Sequence, residues 1–172
     1  MLHHISQRIL RCASLLAPLL ASTLALAQPV SINLNPDLDN TLYEDAAGNF
    51  SNALGANFVA GRTDFDPVRR GAIRFNLSSI PPGSTIQQVE VTLTLTRARS
   101  SSYPVMFHRA LASWGEGTSQ DNGAGGQGVF STPGDATWIH RFYPSTLWTT
   151  PGGDFVTQAS ATKSIAATVG PY

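Results

Sequence analysis

Two histidines, His108 and His140, stand 32 residues apart, and each is followed by an arginine, giving His108-Arg109 and His140-Arg141. Tyr143 lies three residues beyond His140. A histidine or tyrosine base beside arginines that neutralise a carboxylate is the equipment of a polysaccharide lyase working on one sheet face. The same residues serve more commonly as strand positions packing along a sheet. Arginine presents a planar fork that grips a carboxylate with two hydrogen bonds, where lysine offers a point charge. Arg97, Arg99, Arg109 and Arg141 all fall in or beside expected strands, an arrangement that suits a face reading uronic-acid chains and equally suits cross-strand ion pairs. The other groups that could touch a sugar are tryptophans. Trp114 in "SWGEG" and Trp148 in "LWTTPGG" sit beside turn residues, where packing against the end of a sandwich and stacking under a pyranose are both open. Trp138, in an alternating run, belongs in a core.

Other chemistry is largely excluded. There is no G-x-S-x-G nucleophile elbow and no H-E-x-x-H. Glu44 and Asp45 are adjacent and would point to opposite faces of a strand, which a glycosidase pair cannot do. No catalytic residue is therefore assigned. Asp37, Asp39, Glu44 and Asp45 together offer the hard oxygen ligands that a structural calcium takes. They do not form an EF-hand loop, because the twelfth position from Asp37 is Gly48. A solvated loop is the plainer account of the same residues. "GAGGQG", Gly123 to Gly128, matches G-x-G-x-x-G by letter but runs into "VFSTPGD" rather than a helix, so it binds no dinucleotide. Asn49 and Asn76 fit the glycosylation pattern without carrying weight in what reads as a bacterial chain.

The elements that would position these groups read as strands. In "GAIRFNL", Ile73, Phe75 and Leu77 share one face; in "VEVTLTLT", Val89, Val91, Leu93 and Leu95 do. Period 2 means half-buried strands, expected over 71–77 and 88–96, on either side of a Pro81-Pro82-Gly83 corner. Arg74, between Ile73 and Phe75, is expected to pair with a carboxylate on a neighbouring strand. Weaker strand signals lie at 31–34, 57–61, 104–111 and 137–143. Residues 115–136 read as one long polar, glycine-rich loop. No segment has capped helical periodicity. The expected fold is an antiparallel β-sandwich or barrel.

The start of the chain is of another kind. Arg8 and Arg11 precede the 15-residue apolar run "ASLLAPLLASTLALA", which ends in Ala25-Leu26-Ala27. That is a secretory signal peptide over 1–27, too short to span a bilayer, leaving one domain over 28–172. No later apolar run is long enough to cross a membrane, so no span is expected once the signal is cleaved. Cys12 falls within the signal, so disulfides and thiolate metal sites are excluded from the remainder. Without Arg8 and Arg11, nine cations face 11 carboxylates, and Lys163 is the one lysine. A basic surface for nucleic acid is therefore not expected.

The stretch "RRGAIRFNLSSIPPGSTIQQVEVTLTLT", with "SWGEGT", "GDATWIHRFYPSTLWTTPGGDF" and "SATKSI", resembles the disaggregatase-related repeat (DNRLRE) family of secreted bacterial proteins. The resemblance runs from about Asp39 onward. It implies a jelly-roll-like β-sandwich related to carbohydrate-binding modules, some of which bind acidic polysaccharides such as alginate. Asn76 stands where the family usually has Asp. The family also continues with further strands, so the chain reads as a partial copy, incomplete at the C-terminus and, on that account, marginally folded. The combined expectation is a secreted, non-catalytic module binding extracellular polysaccharide, with acidic alginate-like chains as the finer expectation, through Arg109, Arg141, Trp114, Trp148, His140 and Tyr143. It needs no cofactor beyond a possible structural calcium. A structural or adhesive surface domain is the alternative, and a degenerate lyase the third.

Overall fold

A computed structural model describes residues 28–62, 67–98, 102–123 and 126–172. The expected signal peptide, Arg99 and part of the Gly123–Gly128 run lie outside the described residues. The described part is all-β with no helix, and every strand pair is antiparallel. Ile32–Tyr172 makes one compact unit.

Its longest ladder joins β1 (Pro36–Tyr43) to β4 (Val68–Phe75), with β3 (Gly61–Arg62) on the far edge of β4 for two residues only. The pairing of Leu38 with Arg74, Asn40 with Ala72 and Leu42 with Arg70 puts Leu38, Leu42 and Ala72 on one face. That face covers a small apolar core of Leu42, Trp114, Ala136 and Trp148, flanked by Ala112 and Trp138. All three tryptophans therefore serve the core. The remaining ladders are short: β2 (Phe50–Ser51) with β7 (Val129–Phe130), β5 (Thr94–Leu95) with β11 (Gly170–Pro171), β6 (Tyr103–Phe107) with β10 (Ala161–Ile165), and β8 (His140–Phe142) with β9 (Thr146–Leu147).

Several expectations shift. The signal at 31–34 is displaced to β1, whose carboxylate-rich start reads as loop. The strand expected over 71–77 begins three residues earlier and stops at Phe75, because Asn76 Oδ1 accepts the Ser78 amide and turns the chain. Leu77 is consequently exposed. Of 88–96 only Thr94–Leu95 is laddered, extended by the paired backbone of Leu93 and Tyr172, and Val89 is exposed. The supposed loop 115–136 is tied at both ends, by Gly115 N to Arg141 O and Ala136 N to Gly115 O, and contains β7. Arg74 behaves as expected: it grips Asp37 across the sheet, Nη2 to Oδ2 at 2.7 Å, on an exposed surface.

What the apolar core lacks in size is supplied by a buried polar knot. Asn40, wholly buried, accepts the Thr41 amide at 2.7 Å and the Asn52 amide at 3.2 Å on Oδ1, and donates Nδ2 to the Glu116 carbonyl at 3.1 Å. Ser51 Oγ lies 2.9 Å from Asn40 Oδ1 and 3.1 Å from the Ala136 carbonyl, with one proton to share between them. Asp135, also wholly buried, accepts the Thr132 amide at 2.6 Å and the Ser119 amide at 3.4 Å. Gly117 makes this possible: at φ 72° a side chain is disfavoured, and a Cβ there would collide with the Asp135 carboxylate. Among the described residues Ser131 Oγ is the one buried side-chain polar atom without a partner, so the knot is satisfied.

Asn40→Ala is expected to lose roughly 3 kcal/mol of stability or more, about 10 °C in melting temperature, because several buried donors lose one acceptor. Arg74→Ala should leave the melting temperature nearly unchanged, since an exposed pair is screened by solvent. Thermal melts followed by circular dichroism would compare the two.

Candidate functional site

The residues singled out by type and spacing scatter. Trp114 and Trp148 are each 7% exposed, and Trp148 Nε1 donates to the Thr137 carbonyl at 3.0 Å. Both are too buried to stack under a ligand, which corrects the expectation for them. Arg141 Nη1 donates to the carbonyl and hydroxyl of Ser113 at 3.1 and 3.2 Å, and its guanidinium lies over Phe142. Arg109 is exposed, with its carbonyl accepting the Val156 amide.

His140 is buried, with the half-buried Tyr143 ring edge-on at 5.1 Å. Thr137 Oγ1 accepts the amides of Ile139 and His140, so its own proton goes to His140 Nδ1 at 3.0 Å. The imidazole is thus held neutral with Nδ1 as acceptor. Burial pushes its pKa down, against a hydrogen bond to the Gly48 backbone. This is a structural histidine.

The four carboxylates proposed for calcium do not converge. Asp37 is taken by Arg74. Asp39 offers its amide to Glu116 Oε1 at 2.8 Å, and burial followed by the Glu116 charge raises its pKa. Glu44 Oε2 accepts the Val68 amide, and Asp45 Oδ2 accepts the Asn49 amide at 2.9 Å. Among the described residues no three His, Cys, Asp or Glu side chains form a metal-binding group.

The structure assembles a different site. An open cleft of about 2650 Å³ is lined by residues of β3, β4, β5, β6 and β10. Its apolar lining includes Phe58, Ile73, Leu95, Val105 and Phe107. Five cations line it, Arg62, Arg69, Arg70, Arg97 and Lys163, against three carboxylates, Asp39, Glu90 and Asp121. Of the six residues expected to bind ligand, only Trp114 and Trp148 reach this cleft, as buried lining.

Arg69 and Arg70 head β4 and are half-buried. Arg69 lies 4.9 Å over the Tyr43 ring, with Nε 3.5 Å from the Gly126 carbonyl and Nη1 3.1 Å from that of Val68. Arg70 lies 4.9 Å over both Trp138 and Phe155 and donates Nη1 to the Gly152 carbonyl at 2.6 Å. Gly152, at φ 88°, permits that approach, since a Cβ would strike Arg70 and Trp138. Burial lowers both guanidinium pKa values, but arginine stays charged at any working pH. Burial likewise pushes the Tyr43 phenol up to about 12, so it stays neutral beneath Arg69. Neither arginine forms an ion pair among the described residues. Arg74 of the same strand lies away from the cleft and is paired with Asp37.

Sequence reasoning passed over Arg69 and Arg70. The doublet opens the most strongly patterned stretch of the chain, but its meaning depends on Tyr43, Trp138 and Phe155, which only the fold brings beneath it.

These features define an antiparallel all-β protein with an arginine-lined cleft. Comparison with protein-family models, with curated proteins and with solved structures gives no match to this chain. Among the described residues no helix is long and apolar enough to cross a membrane.

The neutral state of His140 has a pH signature. A lowered folded pKa means that the unfolded chain binds the proton more readily. The stabilisation is therefore present above the ordinary imidazole pKa near 6.5 and is lost as pH falls toward the lowered value. The melting temperature is expected to drop between pH 7.5 and pH 5, and His140→Gln, which cannot titrate, should flatten that drop. Asp37 and Asp154, whose pKa values are lowered, titrate below this window, and Asp39 contributes equally to both proteins.

Proposed function

We propose that the chain is a secreted, non-catalytic module that binds acidic extracellular polysaccharide along the arginine-lined cleft. The reading includes the jelly-roll-like sandwich and the DNRLRE kinship that the sequence resemblance implies, and export by the signal peptide over 1–27. The observation that carries it is the contrast within one strand. Arg74, off the cleft, is neutralised by Asp37, while Arg69 and Arg70, on it, are held by aromatic faces and backbone carbonyls and have no ion-pair partner among the described residues. Half-buried guanidinium groups on which the one nearby carboxylate, Glu44, acts only from beyond ion-pair distance suit a carboxylate arriving from outside, because partial burial strengthens the charge-assisted bond. The five cations and three carboxylates lining the cleft point the same way, since beyond the signal peptide the chain carries nine cations against 11 carboxylates. His140 and Tyr143 do not line the cleft; His108 does, with its Nδ1 against the Val156 carbonyl at 2.9 Å and its ring edge-on to Phe155.

Titration with alginate and with a neutral glucan tests this. Alginate should bind more tightly, and its affinity should fall as salt rises, since exposed charges are screened over about 8 Å at physiological ionic strength. Replacing Arg97 and Lys163 together by Ala should weaken alginate binding several-fold with an unchanged melt. Arg69→Lys and Arg70→Lys should weaken it further, by keeping charge and losing the fork. Equal affinity for both polymers, or binding of neither, would overturn the acidic-glycan reading and favour the structural or adhesive alternative.

A further inference from the structure

We propose that Phe130, stacked on Phe50, is a platform for the apolar face of a sugar ring, and that it extends the arginine cleft into a longer binding track. The inference rests on the acidic-glycan reading and adds to it a contact that carries no charge.

The tryptophans are spent on the core. Among the large apolar side chains that stand exposed, the aromatic ones are Phe130, 76% exposed, and Tyr103, 64% exposed. Phe130 is the one with a ring behind it: its centroid is 5.5 Å from that of Phe50, with 20° between the planes. The two residues face each other across the β2–β7 ladder. The pair is rigidly held. Ser51, next to Phe50, is wholly buried in the polar knot. The Ser131 amide donates to the Asn49 carbonyl at 2.8 Å, and the Asn49 amide to Asp45 Oδ2 at 2.9 Å. A platform fixed before binding loses little freedom when a ligand arrives.

Its position ties it to the cleft. Gly126, whose carbonyl lies against Arg69 Nε, is four residues before Phe130, and the intervening Gln127 and Gly128 line the cleft. Four residues span at most about 14 Å, so one extended chain molecule reaches from the guanidinium to the ring. The chemistry is complementary. A uronate ring offers C–H groups on one face and a carboxylate at its edge; an aromatic face takes the first by dispersion and apolar burial, and arginine takes the second. The surroundings of Phe130 favour a sugar over a protein partner, because the exposed Gln127 three residues before it and the half-buried Asn49 across the ladder are polar. They supply hydrogen-bonding groups for hydroxyls around a single apolar patch.

The test uses the full chain with oligomannuronate as the probe. Phe130→Ala should cost about five- to tenfold in affinity, as truncating an aromatic anchor commonly does, while the lost stack on Phe50 lowers the melting temperature by only a few degrees. Phe130→Trp should restore binding, and the difference in its fluorescence from that of the parent protein should change on saturation with the midpoint found calorimetrically. If the parent protein binds oligomannuronate and Phe130→Ala binds it equally well, the platform is overturned while the cleft stands. If Phe130→Ala instead dissolves a self-associated form without touching glycan affinity, the pair is a protein contact and the proposal fails. If the parent protein binds no acidic glycan, the underlying reading fails, and this inference with it.

Discussion

The side-chain amide of Asn40 is the interaction on which the rest of the structure rests. It sits in the middle of β1, gathers the amides of Thr41 and Asn52 and shares the Ser51 hydroxyl, and reaches the Glu116 carbonyl with its nitrogen. The next contacts out spread from these partners. Ser51 reaches the Ala136 carbonyl, Asn52 Oδ1 accepts the Asp121 amide, and Ser119 Oγ accepts the Ala53 amide. Segments more than seventy residues apart are thus pinned to one side chain. Each bond is worth little alone, since folding exchanges it for a bond to water. Leaving any of these buried donors unpaired costs far more, so only one arrangement of the segments satisfies them all. An apolar cluster of four buried side chains among the described residues could not specify that arrangement, and the chain's single cysteine cannot close a disulfide within it.

Fixing β1 fixes β4, and β4 sets the cleft. Seven register pairs join the two strands, and the alternation of side chains then decides which neighbour each arginine meets. Arg69 lies opposite Tyr43 and takes its ring. Arg70 lies opposite Leu42, on the core side, and takes Trp138 and Phe155. A shift of register by one residue would exchange those faces and remove both aromatic supports. The polar knot therefore positions the charged cleft without contributing any residue of its own chemistry to it.

That division explains what could be read from the sequence. The all-β class, the approximate position of β4, the pairing of Arg74 with a carboxylate and the core role of Trp138 were all legible, because alternation and local residue type determine them. β1 was not. Its central residues Asn40 and Thr41 are polar, so the apolar alternation that marks a strand is weak there, although both are wholly buried. Burial by hydrogen bonding leaves no hydropathy signal. Turn residues flank Trp114 and Trp148, which left packing and ligand stacking both open, yet turns that fold back onto a core bury their neighbours. His140 looked like a base because of its type, while the Thr137 hydroxyl that holds it neutral is a commonplace residue three positions away. Phe130 carried no signal at all, since exposure of one phenylalanine depends on where a two-residue ladder falls.

The three arginines of β4 show how one residue type divides its work. A guanidinium can be held in place by a carboxylate, which also cancels its charge, or by ring faces and carbonyl oxygens, which orient it and leave the charge standing. Arg74 is held the first way, on the open surface, where the pair adds little beyond local order. Arg69 and Arg70 are held the second way. Rings fill one side of each guanidinium and a carbonyl occupies part of its edge, leaving other N–H groups of the fork for a partner. Keeping these charges half-buried, with the Glu44 carboxylate acting on both only from beyond ion-pair distance, opposes folding. Structural need alone does not account for that arrangement. The proposed acidic ligand would meet oriented donors whose desolvation is already partly complete and whose geometry the Asn40 knot has set in advance.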